Sequence, residues 1–368
     1  MSSKKYNPRA RINPVQLTRM ITGLADLLEK LALKLRPPPA TLHGMIVGSF
    51  VSQAIYVVAK LGIADLLEDG PKTSDSLARF TGVHPRSLYR VLRALSSVGV
   101  FAEDEGGKFR LTRLAKYLES DTPGSMCSLA IFNGEQFRWR SCGELLHSVR
   151  TGKPAFESVF GIEPYKYLDQ NAEAAEIFQT RMAKLTAQWV DAITASCDFS
   201  CLAKVVDVGG GHGGLLSHLL RKNPRMRGVL FDQPSVIEQA RRLFQAEGVS
   251  DRCELAAGDF FEWVPRHGDA YILKNVICDW DDDRALRILK NCRDSMTQNG
   301  RLLLVELVIA PGNKRSFVNI QDLGLMVMTG GGHRTEAEHR KLLESAGFML
   351  RKVTSTRAPI SVIEAVPV

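Results

Sequence analysis

Five glycines in six positions follow directly on a run of β-branched residues in Val205-Val206-Asp207-Val208-Gly209-Gly210-Gly211-His212-Gly213-Gly214. Val205 to Val208 reads as a buried strand and Leu215 to Arg221 as a helix, so the glycines form a strand–turn–helix junction. Such a turn lets the backbone approach a bound cofactor closely, and the helix N-terminus attracts an anionic group. The motif leaves the ligand open. Gly209, Gly211 and Gly214 also satisfy the dinucleotide pattern, which places a pyrophosphate there, and a tight turn with no ligand is the bland alternative.

Strands and helices alternate from Lys204 onward. Strands are expected at Gly228 to Phe231, Cys253 to Ala257, Ala270 to Val276 and Arg301 to Val308. Helices are expected at Ser235 to Glu247 and Asp282 to Met296. This is the pattern of a Rossmann-like α/β domain, doubly wound around a mostly parallel sheet. Such sheets bind ligands at the carboxyl ends of their strands. Asp232 ends the second strand roughly twenty residues beyond the glycines, where an acidic residue takes ribose hydroxyls; a cap for the helix near Ser235 is the alternative. Gly258-Asp259-Phe260-Phe261 offers a carboxylate and an aromatic face for an adenine amino group and ring. Lys274-Asn275-Val276-Ile277-Cys278-Asp279-Trp280 closes the fourth strand.

The upstream text differs. Residues 1–40 read as a basic arm with a helix at Val15 to Leu35 and the semi-rigid spacer Arg36-Pro37-Pro38-Pro39, the arm being expected to be mobile. Residues 41–124 follow a helix–turn–helix–wing order. A helix starts near Thr73 to Ser76, a second runs from Ser87 to Ser97, and two strands flank Gly106-Gly107. Residues 125–200 read as a mostly helical connector, and 201–368 as the cofactor domain. Met45 to Leu67 is broken by Ser49, Ser52, Gln53, Lys60 and Asp65, so a buried amphipathic helix or helix pair is expected and not a bilayer span. The polar start leads into no uninterrupted apolar segment, so no secretory signal is expected. The seven cysteines lie in no CxxC pair, which points to free thiols and a cytoplasmic setting. The net charge of +8 is spread among acidic residues and reads as a solvated surface.

Together these motifs resemble the caffeate- and hydroxyindole-type O-methyltransferases and their bacterial relatives in antibiotic and pigment pathways. The likeness runs from about residue 41 to the C-terminus. It implies a winged-helix-like dimerisation domain, a homodimer whose subunits help to close each other's sites, and S-adenosylmethionine as cofactor in place of a nicotinamide. It also implies that Asp207, Gly209, Gly211 and Gly213 hold the methionine part and that Asp232 holds the ribose. Gly258, Asp259 and Phe260 then lie at the adenine, and Lys274 beside the sulfonium end. Acceptor-facing positions in the family correspond to Phe132, Asn133, Phe137, Trp139, Phe178, Met182, Asp279 and Met326, although aromatic and Met residues on helices are as often plain core. The implied acceptor is a small aromatic molecule.

The chain departs from the family at the catalytic positions. Where a general-base His usually precedes Asp-Trp, Cys278 stands; where Glu is usual in Gly-Gly-x-Glu-Arg-Thr, His333 stands; Glu306 is retained. A phenol of pKa about 10 needs a base at neutral pH, for which a His near 6.5 suits better than a Cys near 8.5. One expectation is that His333 takes over as base, oriented by Glu306 or Asp322. Another is a nucleophilic carbon or nitrogen acceptor, or an acidic hydroxyl, for which positioning suffices. A third is loss or change of activity. Cys278 is expected to line the pocket, and no metal is expected, since a Cys278–Asp279–His333 site lacks a supporting spacing. A rival reading makes the winged helix a DNA reader through Arg86, Arg90 and Arg93, but Leu88, Val91, Leu92 and Leu95 claim one helix face, so no nucleic acid is expected.

Overall fold

The computed structural model describes residues 34–312 and 316–368, with Leu24, Leu27, Leu28, Leu31 and Ala32 before them. The basic arm, its expected mobility and most of the Val15–Leu35 helix lie outside the described residues. The chain divides into two units, 1–55 and 56–368. The expected proline spacer gives way at Pro38 to helix α1 (Pro38–Lys60), because the first turn of a helix needs no N–H from proline. The expectation that this helix is buried needs correction. Only Val58 and Ala59 of α1 are buried, while Leu42, Met45, Ile46 and Phe50 are exposed. Among the described residues α1 is the one helix long and apolar enough to cross a membrane.

Helix α2 (Ile63–Leu66) leads to strand β1 (Lys72–Thr73) and helix α3 (Ser74–Thr81). Of the several candidate caps for α3, Thr73 serves, its hydroxyl accepting from the Ser76 N–H. Helix α4 (Pro85–Ser97) is capped by His84 and buries Leu88, Leu92 and Leu95. Strands β2 (Phe101–Glu103) and β3 (Lys108–Leu111) form an antiparallel hairpin, which β1 extends. The winged-helix order is thus present. Its first wing strand starts at Phe101 instead of Val98 because Gly99 and Val100 are spent closing α4, donating to Ser96 and Leu95.

Six helices follow: α5 (Cys127–Gly134), α6 (Gln136–Gly143), α7 (Leu145–Thr151), α8 (Ala155–Phe160), α9 (Pro164–Gln170) and α10 (Ala172–Thr194). Phe132, Phe137, Phe156 and Ala174 share a core with Val327 and Met328 from near the C-terminus.

Strand and helix then alternate through β4 (Lys204–Val208), α11 (Gly214–Lys222), β5 (Arg227–Asp232), α12 (Pro234–Ala246), β6 (Cys253–Ala257), β7 (Ala270–Lys274), α13 (Asp282–Ser295) and β8 (Arg301–Glu306). Successive residues point to opposite faces. Val205, Leu230, Ile272 and Leu303 therefore pack under α10, α11 and α12, while Val206, Phe231, Tyr271 and Leu302 pack under α13. Burial on both faces is why these strands read as unbroken apolar runs. Beyond β8 come β9 (Val308–Ile309), α14 (Phe317–Met328), β10 (Arg334–Thr335), α15 (Glu336–Ser345), β11 (Phe348–Ser355) and β12 (Ser361–Pro367). The seven-stranded sheet runs β11-β12-β8-β7-β4-β5-β6, parallel except for β12. The expected strand to Val308 is split at Leu307, because Val308 and Ile309 leave the sheet to pair with Arg334 and Thr335.

Candidate active site

From β4 the sheet continues through β5 to β6 on one flank, and β7 returns to the other. The strand order reverses there, and the loops leaving β4 and β7 diverge into a crevice of the kind that binds ligands in open α/β sheets. A cavity of about 1540 Å³ occupies it. That exceeds the roughly 300–1,000 Å³ of a site for one small molecule, leaving room for two.

On the β4 side, the glycine turn wraps the end of the strand. Gly213 has φ 79°, and a Cβ there would lie 2.4 Å from the Phe244 ring, so it packs the turn without facing the cavity. Asp232 Oδ2 accepts from the Gly211 N–H at 2.8 Å, and Oδ1 accepts from the Gln233 N–H at 2.8 Å. Each oxygen keeps a further lone pair, two acceptors side by side as a vicinal diol requires. Burial pushes the Asp232 carboxyl upward in pKa. Asp207 is buried beneath the turn, and neither of its oxygens has a donor among the described residues. Burial pushes its pKa up to about 7, opposed by Lys274. Lys274 is itself lowered by burial and supported by Asp207 and Glu306. Gly258, Asp259 and Phe260 line the same wall. The backbone turn at Gly209 to Gly211 and the diol-spaced acceptor pair of Asp232, both lining the cavity, fit the methionine and ribose parts of S-adenosylmethionine.

On the β7 side, the loop after Lys274 meets the loop before β10. Gly331 makes this possible: a Cβ there would lie 2.3 Å from the Cys278 carbonyl oxygen. Arg334, 7% exposed, clamps the two loops, donating to the Ile277 and Trp280 carbonyls and to Asp282. The β9–β10 pairing, with Arg334 opposite Val308, carries His333 to the end of β8, where Glu306 sits fully buried. As a result the donor atoms of Cys278, Glu306 and His333 lie within 4.8 Å of one another. Glu306 Oε1 accepts from the Ile277 and Cys278 N–H groups at 3.1 and 3.4 Å, and Oε2 has no partner among the described residues. Burial pushes Glu306 up to about 7 and the Cys278 thiol well above its usual range. His333 is lowered by burial, partly offset by Asp322, and its Nδ1 has no partner among the described residues. Asp322 accepts from the His333 backbone N–H at 2.6 Å, so it fixes the loop and not the ring.

The third wall is aromatic. Phe132 meets Phe137 and Phe178 with ring centres 5.8 and 6.1 Å apart. Tyr165 packs edge-on to Phe178 and donates its hydroxyl to Asp279. Burial pushes Asp279 up to about 6 against the pull of Tyr165, Arg138 and Lys274. Of the acceptor-facing candidates, Phe132, Asn133, Phe137, Phe178, Met182 and Asp279 line the cavity. Trp139 and Met326 do not; Arg138, Leu325 and Met328 stand there instead. A helix turns about 100° per residue, so a one-position difference swings a side chain off the wall. Asp207, Gly213, Glu306 and Asp322 likewise lie behind the lining. Sequence reasoning missed Arg138, Tyr165, Gln179 and Arg181, none of which sits in a motif; the one available signal is that Arg181 follows Phe178 by three residues on one helix face.

The sequence matches the O-methyltransferase domain over residues 142–349 and the O-methyltransferase dimerisation domain over residues 44–121. It is 44% identical over 332 residues to phenazine O-methyltransferase PhzM of Lysobacter antibioticus, spanning 90% of this chain and 97% of that one. It is 36% identical over 329 residues to the mitomycin biosynthesis 6-O-methyltransferase of Streptomyces lavendulae, spanning 88% and 93%. The crystal structure of LaPhzM superposes with a TM-score of 0.86 at 44% identity, covering 90% of this chain and 100% of that one. With a Rossmann-like domain, a helical dimerisation domain and a crevice that fits the cofactor, the chain belongs to the S-adenosylmethionine-dependent O-methyltransferase family.

Proposed function

We propose that this enzyme methylates a hydroxyl oxygen on a small aromatic molecule of secondary metabolism, with His333 taking the acceptor's proton. The observation that carries the proposal is the His333 ring, which lines the cavity and lies within 4.8 Å of the Glu306 carboxylate. An imidazole whose pKa is held below its usual value is neutral at pH 7 and ready to accept. Glu306 stabilises the imidazolium that forms, and Asp322 holds the His333 loop. The relatives named for phenazine and mitomycin chemistry support an aromatic acceptor. Phe132, Phe137, Phe178 and Met182 would grip its rings, with Asn133 and Asp279 offering polar contacts.

S-adenosylmethionine, when bound, supplies an electrophilic methyl on a sulfonium. The backbone of Gly209 and Gly211 would hold its methionine part with Asp207 beneath the turn, Asp232 its ribose, and Asp259 and Phe260 its adenine, with Lys274 beside the sulfonium. A homodimer through the N-terminal domain is supported by the matched dimerisation domain and by the exposed Leu42, Met45, Ile46 and Phe50. A cytoplasmic setting suits the free thiols, including exposed Cys142 and Cys201.

The test is turnover of a panel of phenazinols and naphthols, with products read by mass spectrometry. His333→Gln is expected to lower kcat by about 10²–10⁴, the usual worth of a general base. Cys278→Ala is expected to stay within about fivefold of wild type, as substitution of a lining residue does. Undiminished kcat in His333→Gln would remove the base from the mechanism and favour a nitrogen or carbon acceptor, or a hydroxyl already ionised.

A further inference from the structure

Two arginines reach the cavity, and neither forms an ion pair with an acid among the described residues. Arg181 on α10 is 7% exposed and makes no hydrogen bond or ion pair among the described residues. Arg138 on α6 donates only from Nε, to Asn133 Oδ1 at 2.7 Å, so its two terminal nitrogens are uncommitted among the described residues. The guanidinium of Arg138 is nevertheless held firmly. It lies 4.8 Å over the Phe132 ring, and its tip fits against Gly324 of α14, where a Cβ would come within 2.5 Å. The two cations also oppose each other: burial lowers Arg181 to about 10, and Arg138 adds to the fall. Asp279, the acid whose charge reaches Arg138, already accepts the Tyr165 hydroxyl and makes no ion pair with the arginine among the described residues.

Burying two like charges with neither in an ion pair is costly, and a ligand that brings a negative charge relieves it. We propose that Arg138 and Arg181 together form a carboxylate site, and that the acceptor is an aromatic hydroxy acid. This deepens the O-methyltransferase reading and rests on it for the word acceptor. Phe178 and Arg181 share a helix face three residues apart, and Phe178 packs on Phe132, over which Arg138 lies. An aromatic ring held at Phe132 and Phe178 therefore presents an attached carboxylate to both guanidiniums. Their planar forks match a carboxylate with paired N–H donors, which a neutral hydroxyl or amide does not replace.

The other carboxylate available to these arginines is the one on the cofactor's methionine tail, and the experiment separates the two. Salicylate, 3-hydroxy-2-naphthoate and their primary amides are titrated by calorimetry into the full-length enzyme with S-adenosylhomocysteine bound, and S-adenosylhomocysteine is titrated separately. Wild type is expected to prefer at least one acid over its amide by about tenfold or more. Arg138→Met and Arg181→Met should each weaken that acid by about 10–100-fold, leave the amide within about threefold, and leave S-adenosylhomocysteine unchanged. Arg181→Lys, which keeps charge but not the fork, should recover part of the loss and guards against misfolding. Equal binding of every acid and amide by wild type overturns the proposal. So does a loss of S-adenosylhomocysteine affinity in Arg181→Met with the acid preference intact, which assigns the arginine to the cofactor tail. Because binding is read without turnover, a failed O-methyl reading shows separately, as acid preference without product.

Discussion

Replacing Asp232 by Ala removes the side chain proposed to hold the cofactor's ribose beside the glycine turn. Its two oxygens accept from Gly211 and Gln233 at 2.8 Å and face the cavity with their remaining lone pairs. Two hydrogen bonds from ribose hydroxyls to a charged acceptor are worth about 1.5–3 kcal/mol each. Their loss therefore costs about 3–6 kcal/mol, or roughly 10²–10⁴ in affinity at 1.4 kcal/mol per decade. Water will refill part of the deleted volume and satisfy the two backbone N–H groups, so the lower end is expected. Asp232→Asn keeps one acceptor oxygen and should lose about half as much in free energy. The assay is calorimetric titration of S-adenosylhomocysteine and of NAD into wild type and both variants, with thermal melts to establish that each is folded. Wild type should bind the first and not the second. An Asp232→Ala protein that binds S-adenosylhomocysteine within about fivefold of wild type would refute the assignment of the ribose, since two charged hydrogen bonds cannot be worth so little. Tight NAD binding would refute the choice of cofactor outright.

Because burial holds His333 below the usual histidine value, kcat on a phenol should rise with pH through a point under about 6.5. In His333→Gln that step should vanish, leaving a rise toward the phenol's own pKa of about 10; an unchanged acid limb would acquit His333. Glu306 has a folded pKa raised to about 7, so its contribution to stability is fully present below its unfolded value near 4.5 and is lost as pH rises through 7. Glu306→Gln should therefore gain in melting temperature relative to wild type between pH 5 and pH 8, and a constant gap would contradict the assigned burial. Ile46→Asp, at an exposed position of α1, should shift sedimentation from dimer to monomer; an unaltered dimer would place the interface elsewhere.

The parts of the site that were legible in the sequence are those carried by neighbours in the chain. The glycine turn, Asp232, Asp259 and Lys274 each sit where a strand ends, and the strand is announced by its own apolar run. Nothing local announces Arg138 or Arg181. They matter because α6, α10 and α14 converge, and each helix declares only that it has an apolar face. The family resemblance puts Trp139 on the wall, yet Arg138 occupies it, a difference of one residue and about 100°. The β11–β12 hairpin carries no comparable signal, because β11 alternates buried Phe348 and Leu350 with exposed Met349, Arg351 and Lys352, the pattern of an edge strand with weak hydropathy. For α1, hydropathy identifies a face that avoids water but does not say whether its cover comes from the same chain.

On the proposed reading, His333 keeps a proton acceptor in the site, its donor atom within 4.8 Å of that of Cys278. Charge decides which of the two can serve. To act as base, Cys278 would first have to become a thiolate next to Glu306 and Asp279, and both neighbours and burial hold its thiol protonated. His333 starts neutral and ends positive, and the Glu306 carboxylate within 4.8 Å favours that end state. On the proposed reading Glu306 supports the imidazole at 333, whereas Cys278 without His333 would leave the acceptor no base.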